Sequence, residues 1–281
     1  MITADFHTHT KYCDGNNTPR EMVLQAIADG MTAIGFSGHA YTSFDKGWAM
    51  TPQGTADYIR EIDGLKAEFG DKIRIYHGSE YDYYSDGPKD NMEYIIGSVH
   101  YVEKDGVRRC IDESPECLRT IVDEMFDGDP IACAESYYEN VGNVVEKTGA
   151  DIIGHFDLIC KFNEVDHMFD TSDIRYIAAW KKAADKLLET GKIFEINTGA
   201  ISRGYRTKPY PATDIIDYIG KRGASFILSS DSHSTKTLRF GFDEWERYIT
   251  DRGYKLVRDL FDMPIETVER IAERNNYEYK F

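Results

Sequence analysis

The chain has 281 residues, of which 41% are hydrophobic and 29% charged, and this ordinary globular composition excludes intrinsic disorder as its main state. Its 49 acidic and 33 basic residues give a formal net charge of −16, which repels nucleic-acid backbones and anionic membranes at long range. A small phosphorylated ligand is still compatible with this charge, because bound cations can reverse its sign locally.

Seven short apolar runs are predicted to be strands. In chain order they are Ile2–Phe6, Ala33–Ser37, Ile73–Glu80, Tyr94–Val99, Asp151–His155, Ile193–Asn197 and Ser225–Ser230. Several of them are apolar without alternation, which is typical of parallel strands that are buried on both faces.

Longer patterns between these runs predict helices. They span Pro19–Gly30, Thr55–Phe69, Pro115 to about Phe126, Ile131–Lys147, Thr171–Thr190 and Ala212–Lys221, with a last surface helix at Pro264–Arg274. Thr18 before Pro19 and Ser114 before Pro115 are typical N-caps followed by a first-turn proline. The stretch Tyr101–Asp112 has no clear period, and we expect it to form a lid or an excursion over the mouth of a barrel.

Seven strand–helix units in one chain favour an α/β barrel over an open doubly wound sheet, although periodicity alone does not establish closure. No internal repeat or long linker divides the chain, so residues 1–281 are expected to form a single domain. The five cysteines form no CxxC pair, which predicts a reduced protein without a disulfide framework or a thiolate zinc site. Met1–Asp5 shows no pattern of a secretory signal, so we expect a cytoplasmic protein without a transmembrane helix.

Six of the eight histidines lie at or just past the carboxyl end of a predicted strand. They are His7, His9, His39, His100, His155 and His233. Glu80 and Asp231 occupy equivalent places, and Asp14 lies in the loop after the first strand. The carboxyl ends of parallel barrel strands converge on one mouth, which predicts that these side chains meet there.

The spacing of His7 and His9 places both imidazoles on one face of an extended chain. Neutral imidazoles with nearby oxygen ligands suit zinc, manganese or iron, so the sequence predicts a metal site. His77 lies inside a strand and His167 in a polar loop, and both are expected to be ordinary structural residues.

These motifs resemble those of the polymerase-and-histidinol-phosphatase superfamily. The resemblance rests on Asp5–Thr10, Gly38-His39, Gly78–Glu80, Gly97–His100, Ile153–His155 and Ser230–His233, which occur in family order. The length and the stretch Asn197–Gly204 are similar to the histidinol-phosphate phosphatase branch. The resemblance implies a distorted (β/α)7 TIM-like barrel with a centre of two or three metal ions at its C-terminal mouth.

Position by position, the resemblance implies three metal sites. The first is formed by His7, His9, Glu80 and Asp231, the second by Glu80, His100 and His155, and the third by Asp14, His39 and His233. Some relatives have histidine where Asp14 stands, so the metal preference of the third site is left open. The implied cofactors are two or three divalent ions, with zinc, manganese and iron as alternatives.

A pair of such ions can trap a bridging hydroxide, which we expect to attack the phosphorus of a phosphomonoester. Arg203 is the first candidate for a clamp on the phosphate and Lys161 the second, because cationic donors match phosphate oxygens. Asp231 and His233 are candidates for the general acid, although both are also expected to be ligands.

The implied activity is the hydrolysis of L-histidinol phosphate to L-histidinol and phosphate in histidine biosynthesis. Three alternatives stay open: a phosphodiesterase or nuclease on the same scaffold, a phosphatase of another small phosphomonoester, and a non-catalytic metal-binding barrel. The acidic balance counts against nucleic acid as a substrate. The general acid, the residues that recognise the imidazole and amine of the substrate, and the oligomeric state are not determined by the sequence.

Overall fold

A computed structural model describes residues 1–262 and shows a curled, parallel eight-stranded sheet surrounded by helices. The strands in chain order are β1 (Ala4–Asp5), β2 (Ala33–Phe36), β3 (Arg74–Asp82), β4 (Tyr94–Ser98), β5 (Tyr101–Lys104), β6 (Val107–Cys110), β7 (Ile152–Ile153), β8 (Ile193–Asn197), β9 (Ser225–Ser229) and β10 (Lys255–Val257). The sheet order is β1-β2-β3-β4-β7-β8-β9-β10, while β5 and β6 form a separate antiparallel hairpin.

The curled sheet closes at the carboxyl ends of its strands, an end that we call the mouth. Thr8 and Ser232, just past β1 and β9, form a parallel bridge. The N–H of His9 donates to the carbonyl of Ser232 at 2.8 Å. The buried carboxylate of Asp5 reinforces this closure, because it accepts hydrogen bonds from the N–H and the hydroxyl of Ser230. The barrel is therefore distorted, with β10 pairing along the first residues of β9.

The helices are α1 (Pro19–Ala28), α2 (Pro52–Phe69), α3 (Pro115–Met125), α4 (Pro130–Thr148), α5 (Asn163–Asp166), α6 (Ile174–Leu188), α7 (Gly199–Ser202), α8 (Thr213–Gly220) and α9 (Phe242–Asp251). The first four begin with proline directly after a Thr, Ser or Asp N-cap whose side chain accepts a backbone N–H. No helix of the described residues is long and apolar enough to cross a membrane.

The barrel interior below the mouth is apolar. Its buried residues are Ala4, Phe6, Ala33, Tyr94, Ile96, Ile152, Ile193, Ile227 and Leu260. The Tyr94 ring fits because β3 has a glycine beside it, where a Cβ on Gly78 would lie 2.5 Å from Cζ of the tyrosine. The Tyr94 hydroxyl donates to the carbonyls of Phe6 and Phe36 and so joins the ends of β1 and β2.

The structure confirms the predicted α/β barrel and its seven predicted strands, and it adds features that the sequence did not indicate. The eighth strand, β10, and helix α9 were not predicted, and α2 begins at Pro52 rather than Thr55 because Thr51 caps it. The irregular stretch after β4 contains the β5–β6 hairpin. The helix predicted at Pro264–Arg274 lies outside the described residues.

Candidate metal centre

The nine predicted ligand residues lie together at the mouth. His7 and His9 follow β1, His39 follows β2, Glu80 lies in β3, His100 follows β4, His155 follows β7, and Asp231 and His233 follow β9, with Asp14 in the loop after β1. All of them except Asp14 and His233 are buried. The parallel register places the strand ends side by side, so residues up to 226 positions apart in sequence share one site.

Glu80 is at the centre of this cluster. One carboxylate oxygen, Oε2, lies 3.0 Å from Nδ1 of His39 and 3.2 Å from Nε2 of His7. The other, Oε1, lies 2.8 Å from Nε2 of His155 and 3.5 Å from Nε2 of His100. Oε2 also lies 3.5 Å from Nε2 of His9, so the two oxygens face different groups of imidazoles. A carboxylate in this position could contribute an oxygen to more than one ion.

A second carboxylate, that of Asp14, lies among the outer imidazoles. Its oxygens are 3.1 Å from Nε2 of His233, 3.5 Å from Nδ1 of His9 and 3.6 Å from Nε2 of His39. Asp231 completes the inner side, with Oδ1 3.2 Å from Nε2 of His9. Asp231 has φ +49°, in the left-handed region that disfavours a side chain, and such strain is concentrated at functional sites.

Three groups have possible ligand atoms within 4.8 Å of one another. They are His7, His9 and Glu80; His39, Glu80 and His100; and His9, Asp14, His39 and His233. The first and third groups overlap with the sets that the family resemblance implies. The second contains His39 where the resemblance implies His155, so the assignment of each histidine to one ion remains a proposal.

The buried ring nitrogens test whether metal ions fit. Nε2 of His7, Nε2 of His9 and Nδ1 of His155 are buried without a hydrogen-bond partner. A buried polar atom without a partner is costly, and a metal ion would satisfy an imidazole nitrogen. Together with the surrounding carboxylates, this nitrogen and oxygen donor set suits divalent ions.

The pKa shifts in the cluster also favour the binding of cations. Burial lowers the pKa of His39 while the carboxylates of Glu80 and Asp14 raise it, and the net value is about 10. Burial raises the pKa of Glu80, but the imidazoles of His39, His7 and His100 hold it well below its usual range. The carboxylates therefore attract positive charge strongly, and metal binding to these histidines would release protons.

Two buried carboxylates behind the cluster were not predicted from the sequence. Oε1 of Glu195 lies 2.6 Å from Nδ1 of His7, and Oε2 accepts the N–H of His155 at 2.7 Å. Asp82 accepts the N–H of His100 at 2.7 Å and lies 3.3 Å from its Nδ1. A carboxylate on the far ring nitrogen fixes the tautomer of a metal-binding histidine.

A cavity of about 550 Å³ opens over the cluster. Its lining includes the two predicted phosphate contacts, Arg203 and Lys161. Arg203 donates to Oδ2 of Asp231 at 2.9 Å and to its carbonyl at 2.8 Å. Gly199 leaves room for this contact, because a Cβ there would lie 2.8 Å from Nη2 of Arg203.

Lys161 is ion-paired with Asp112, whose Oδ2 lies 3.0 Å from Nζ of the lysine. Both cations are therefore held at the cavity wall by carboxylates and are not freely solvated. Asp112 and Glu113, which follow the β5–β6 hairpin, line the same cavity.

The two histidines predicted to be structural lie outside the cluster. His77 is 1% exposed, with Nε2 3.2 Å from Oδ1 of Asp63, and His167 is exposed at the end of α5. All five cysteines are free. Cys13 lies 3.6 Å from Nδ1 of His9, which makes it a neighbour of the cluster.

The chain is similar to known proteins over most of its length. The PHP domain family model matches residues 5–199. A Deinococcus radiodurans protein described as a probable histidinol-phosphatase is 29% identical over 268 residues, which cover 90% of this chain and 95% of the relative. The histidinol-phosphatase of Lactococcus lactis is 27% identical over 281 residues, covering 95% of this chain and 97% of the relative.

A solved structure supports the fold independently. It is histidinol phosphate phosphatase from Lactococcus lactis in complex with zinc, L-histidinol and phosphate, and it aligns with a TM-score of 0.69 at 21% identity. The alignment covers 91% of this chain and 95% of the other. At this identity the likeness shows that the two chains share the barrel fold.

Proposed function

The chain belongs to the PHP domain family, and on that premise we propose that it is a metal-dependent phosphomonoesterase that hydrolyses L-histidinol phosphate to L-histidinol and phosphate. This is a step of histidine biosynthesis. The observation that carries the proposal is the cluster of six imidazoles around Glu80, Asp14 and Asp231 at the mouth. Full-length relatives with the same named activity support the choice of substrate.

We assign the metal ligands as a family-type centre of two or three divalent ions of zinc, manganese or iron. The residues that would hold them are His7, His9, Asp14, His39, Glu80, His100, His155, Asp231 and His233. When bound, such ions lower the pKa of a coordinated water molecule and neutralise charge that develops on the phosphoryl oxygens.

The residues around the ligands orient an imidazole or bind the substrate phosphate. Glu195 holds the imidazole of His7 through Nδ1, which leaves Nε2 facing Glu80 and the cavity side of the cluster. Arg203 keeps its guanidinium at the cavity wall through Asp231, where its remaining N–H groups can donate to phosphate oxygens. Lys161 is placed to add a second positive charge.

The departing alcohol needs a proton. Asp231 and His233 both line the cavity, and Nδ1 of His233 lies 3.0 Å from the carbonyl of Asp231 and 3.2 Å from Nη1 of Arg203. These two residues are our candidates for the general acid. Both are also proposed as metal ligands, which is the alternative role for each.

A nuclease or phosphodiesterase role is less well supported. Six carboxylates line the cavity, and its two cations, Lys161 and Arg203, are both ion-paired. Such a lining does not attract a polyanionic backbone. The small phosphorylated substrate is the partner that we propose, and no membrane contact is needed for it.

The decisive experiment combines elemental analysis of the purified protein with phosphate release from a panel of substrates. The panel contains L-histidinol phosphate, other small phosphomonoesters, a phosphodiester and short DNA. We expect two or three divalent ions per chain and the highest kcat/KM for L-histidinol phosphate. Full metal occupancy without phosphate release from any substrate would identify a non-catalytic barrel instead.

A further inference from the structure

Two loops form the wall of the cavity beside the metal cluster. The β7 loop, residues 154–173, carries His155 and Lys161, and the β8 loop, residues 198–212, carries Arg203. The predicted phosphate contacts and one predicted ligand therefore depend on how these two loops are held against each other.

A buried ion pair joins the two loops behind the cavity. Both terminal nitrogens of Arg206 lie 3.3 Å from Oδ2 of Asp157. The same oxygen accepts the N–H of Ala212 at 3.0 Å, so one carboxylate of the β7 loop holds two positions of the β8 loop. Asp157 is two residues from His155, and Arg206 is three residues from Arg203.

The pair is withdrawn from solvent and from the substrate cavity. Asp157 is 1% exposed and Arg206 8% exposed, and neither residue lines the cavity over the metal cluster. Burial lowers the pKa of Arg206 and the Asp157 carboxylate raises it, with a net value above the usual range, so the guanidinium is charged. Burying two charges is costly, which indicates a use beyond filling space.

The ion pair also supports the wall behind His155. The Arg206 guanidinium lies 4.5 Å from the centre of the Tyr210 ring, and this ring lies 6.2 Å from that of His155 at an angle of 69°. Tyr210 is itself fixed at the end of β8, because its backbone exchanges two hydrogen bonds with Asn197. The contacts therefore run from Asp157 through Arg206 and Tyr210 to the cluster.

An exposed contact between the same loops offers a comparison. Glu164 in the β7 loop accepts the N–H and the hydroxyl of Thr207 at 2.8 and 3.2 Å, and both residues are exposed. This contact joins the loops at the surface but touches neither Tyr210 nor Arg203. It serves as a matched control for loop tethering without the buried pair.

We propose that Arg206, held by Asp157, is a positioning residue that orients Arg203 for binding of the substrate phosphate. Arg206 does not touch the substrate, and it acts by fixing the β8 loop against the β7 loop. The inference rests on the proposed function in one respect, because it takes Arg203 as the phosphate contact.

A double-mutant cycle tests this coupling. The proteins are wild type, Arg203→Gln, Arg206→Lys and the double variant, each loaded with metal and checked for folding by circular dichroism. The measurements are the affinity for inorganic phosphate by calorimetry and kcat and KM for a phosphomonoester that the wild type turns over. Arg206→Lys keeps the buried charge and loses the fork geometry, so we expect it to fold.

The expected result is a loss of phosphate affinity of about 10-fold for Arg206→Lys in the wild-type background, and of less than about 2-fold in the Arg203→Gln background. The loss in kcat/KM should come mainly from a higher KM. Glu164→Gln should change neither the phosphate affinity nor KM by more than about 2-fold. Asp157→Asn, as a second variant, should reproduce the Arg206→Lys pattern.

Equal losses in both backgrounds, or an equal loss for Glu164→Gln, would overturn the inference, since the pair would then be a general structural contact. The proposed function fails by a different result, namely a wild-type protein that binds phosphate but does not hydrolyse L-histidinol phosphate. The calorimetric cycle can be completed in that case too, so the two failures are separate.

Discussion

The mouth and the interior of the barrel are built on the same strands with opposite chemistry. Phe6 packs edge-on against Tyr94 in the interior, with ring centres 5.8 Å apart. The next residue, His7, lies in the buried polar cluster around Glu80. Apolar contacts in the interior are complete without any further group, whereas the cluster leaves buried ring nitrogens without partners. The difference indicates that the interior provides the stability and the mouth the metal binding.

Glu80→Gln should have the largest effect and act on activity. The change keeps the shape of the side chain and removes the charge that faces imidazoles on both of its oxygens. We expect kcat/KM to fall by about 1000-fold, because metal-ion stabilisation is worth several kcal/mol. Metal content and steady-state kinetics measure this, with the exposed Glu189→Gln as control. A folded Glu80→Gln protein with full turnover would contradict the proposed centre.

Leu260→Ala should show the converse pattern. Leu260 is 1% exposed and belongs to the interior cluster, so its truncation should cost about 2–5 kcal/mol of unfolding free energy. The value of kcat below the melting transition should stay within about 2-fold of the wild type, because Leu260 belongs to the apolar interior and not to the ligand cluster. Chemical denaturation and kinetics on the same sample test both parts. A loss of kcat without a loss of stability would contradict the conclusion that the interior provides the stability of the protein.

Glu195→Gln probes the boundary between the regions. Glu195 is fully buried in β8 and binds Nδ1 of His7, and loss of such an outer carboxylate weakens metal binding by about 10–100-fold. Titration of the metal-free protein with zinc measures the affinity. An unchanged affinity would show that His7 is oriented by the backbone alone.

His77 gives the smallest effect and contrasts with the histidines of the mouth. Burial lowers the pKa of His77, while the carboxylates of Glu93 and Asp63 raise it less. The folded protein thus holds it neutral, whereas the unfolded chain protonates it below about pH 6.5. The stability from neutral His77 is therefore full above that pH and is lost as the pH falls. His77→Gln should flatten this loss in denaturation curves between pH 7 and 5, and an unchanged slope would contradict it.

The sequence predicted the fold and the cluster because both depend on patterns that are local in the chain. Each histidine of the mouth directly follows an apolar run, and seven such runs imply one barrel end. Strand β10 (Lys255–Val257) was not predicted because it has only three residues and begins with a charged one. Helix α9 was not predicted because its N-cap is Gly241, which has no side chain to mark the start of a helix.

The outer residues of the site could not be predicted for a different reason. Glu195 lies inside an apolar strand, and its partner His7 is 188 positions away, so no spacing connects the two. Asp157 and Arg206 are likewise 49 residues apart in the sequence. Such pairings depend on how the strands and loops are arranged around the curled sheet, and they are visible only in three dimensions.

The bridge between Thr8 and Ser232 also brings together the two ends of the chain segment that carries the proposed ligands. Seven of the nine proposed ligands lie within residues 7–155, but Asp231 and His233 arrive with the last long strand of the mouth. The first strands alone carry most of the imidazoles but lack Asp231, whose Oδ1 lies 3.2 Å from Nε2 of His9. The complete set of proposed ligands therefore requires the contact between the ends of β1 and β9, a strongly non-local pairing that local chain segments cannot form alone.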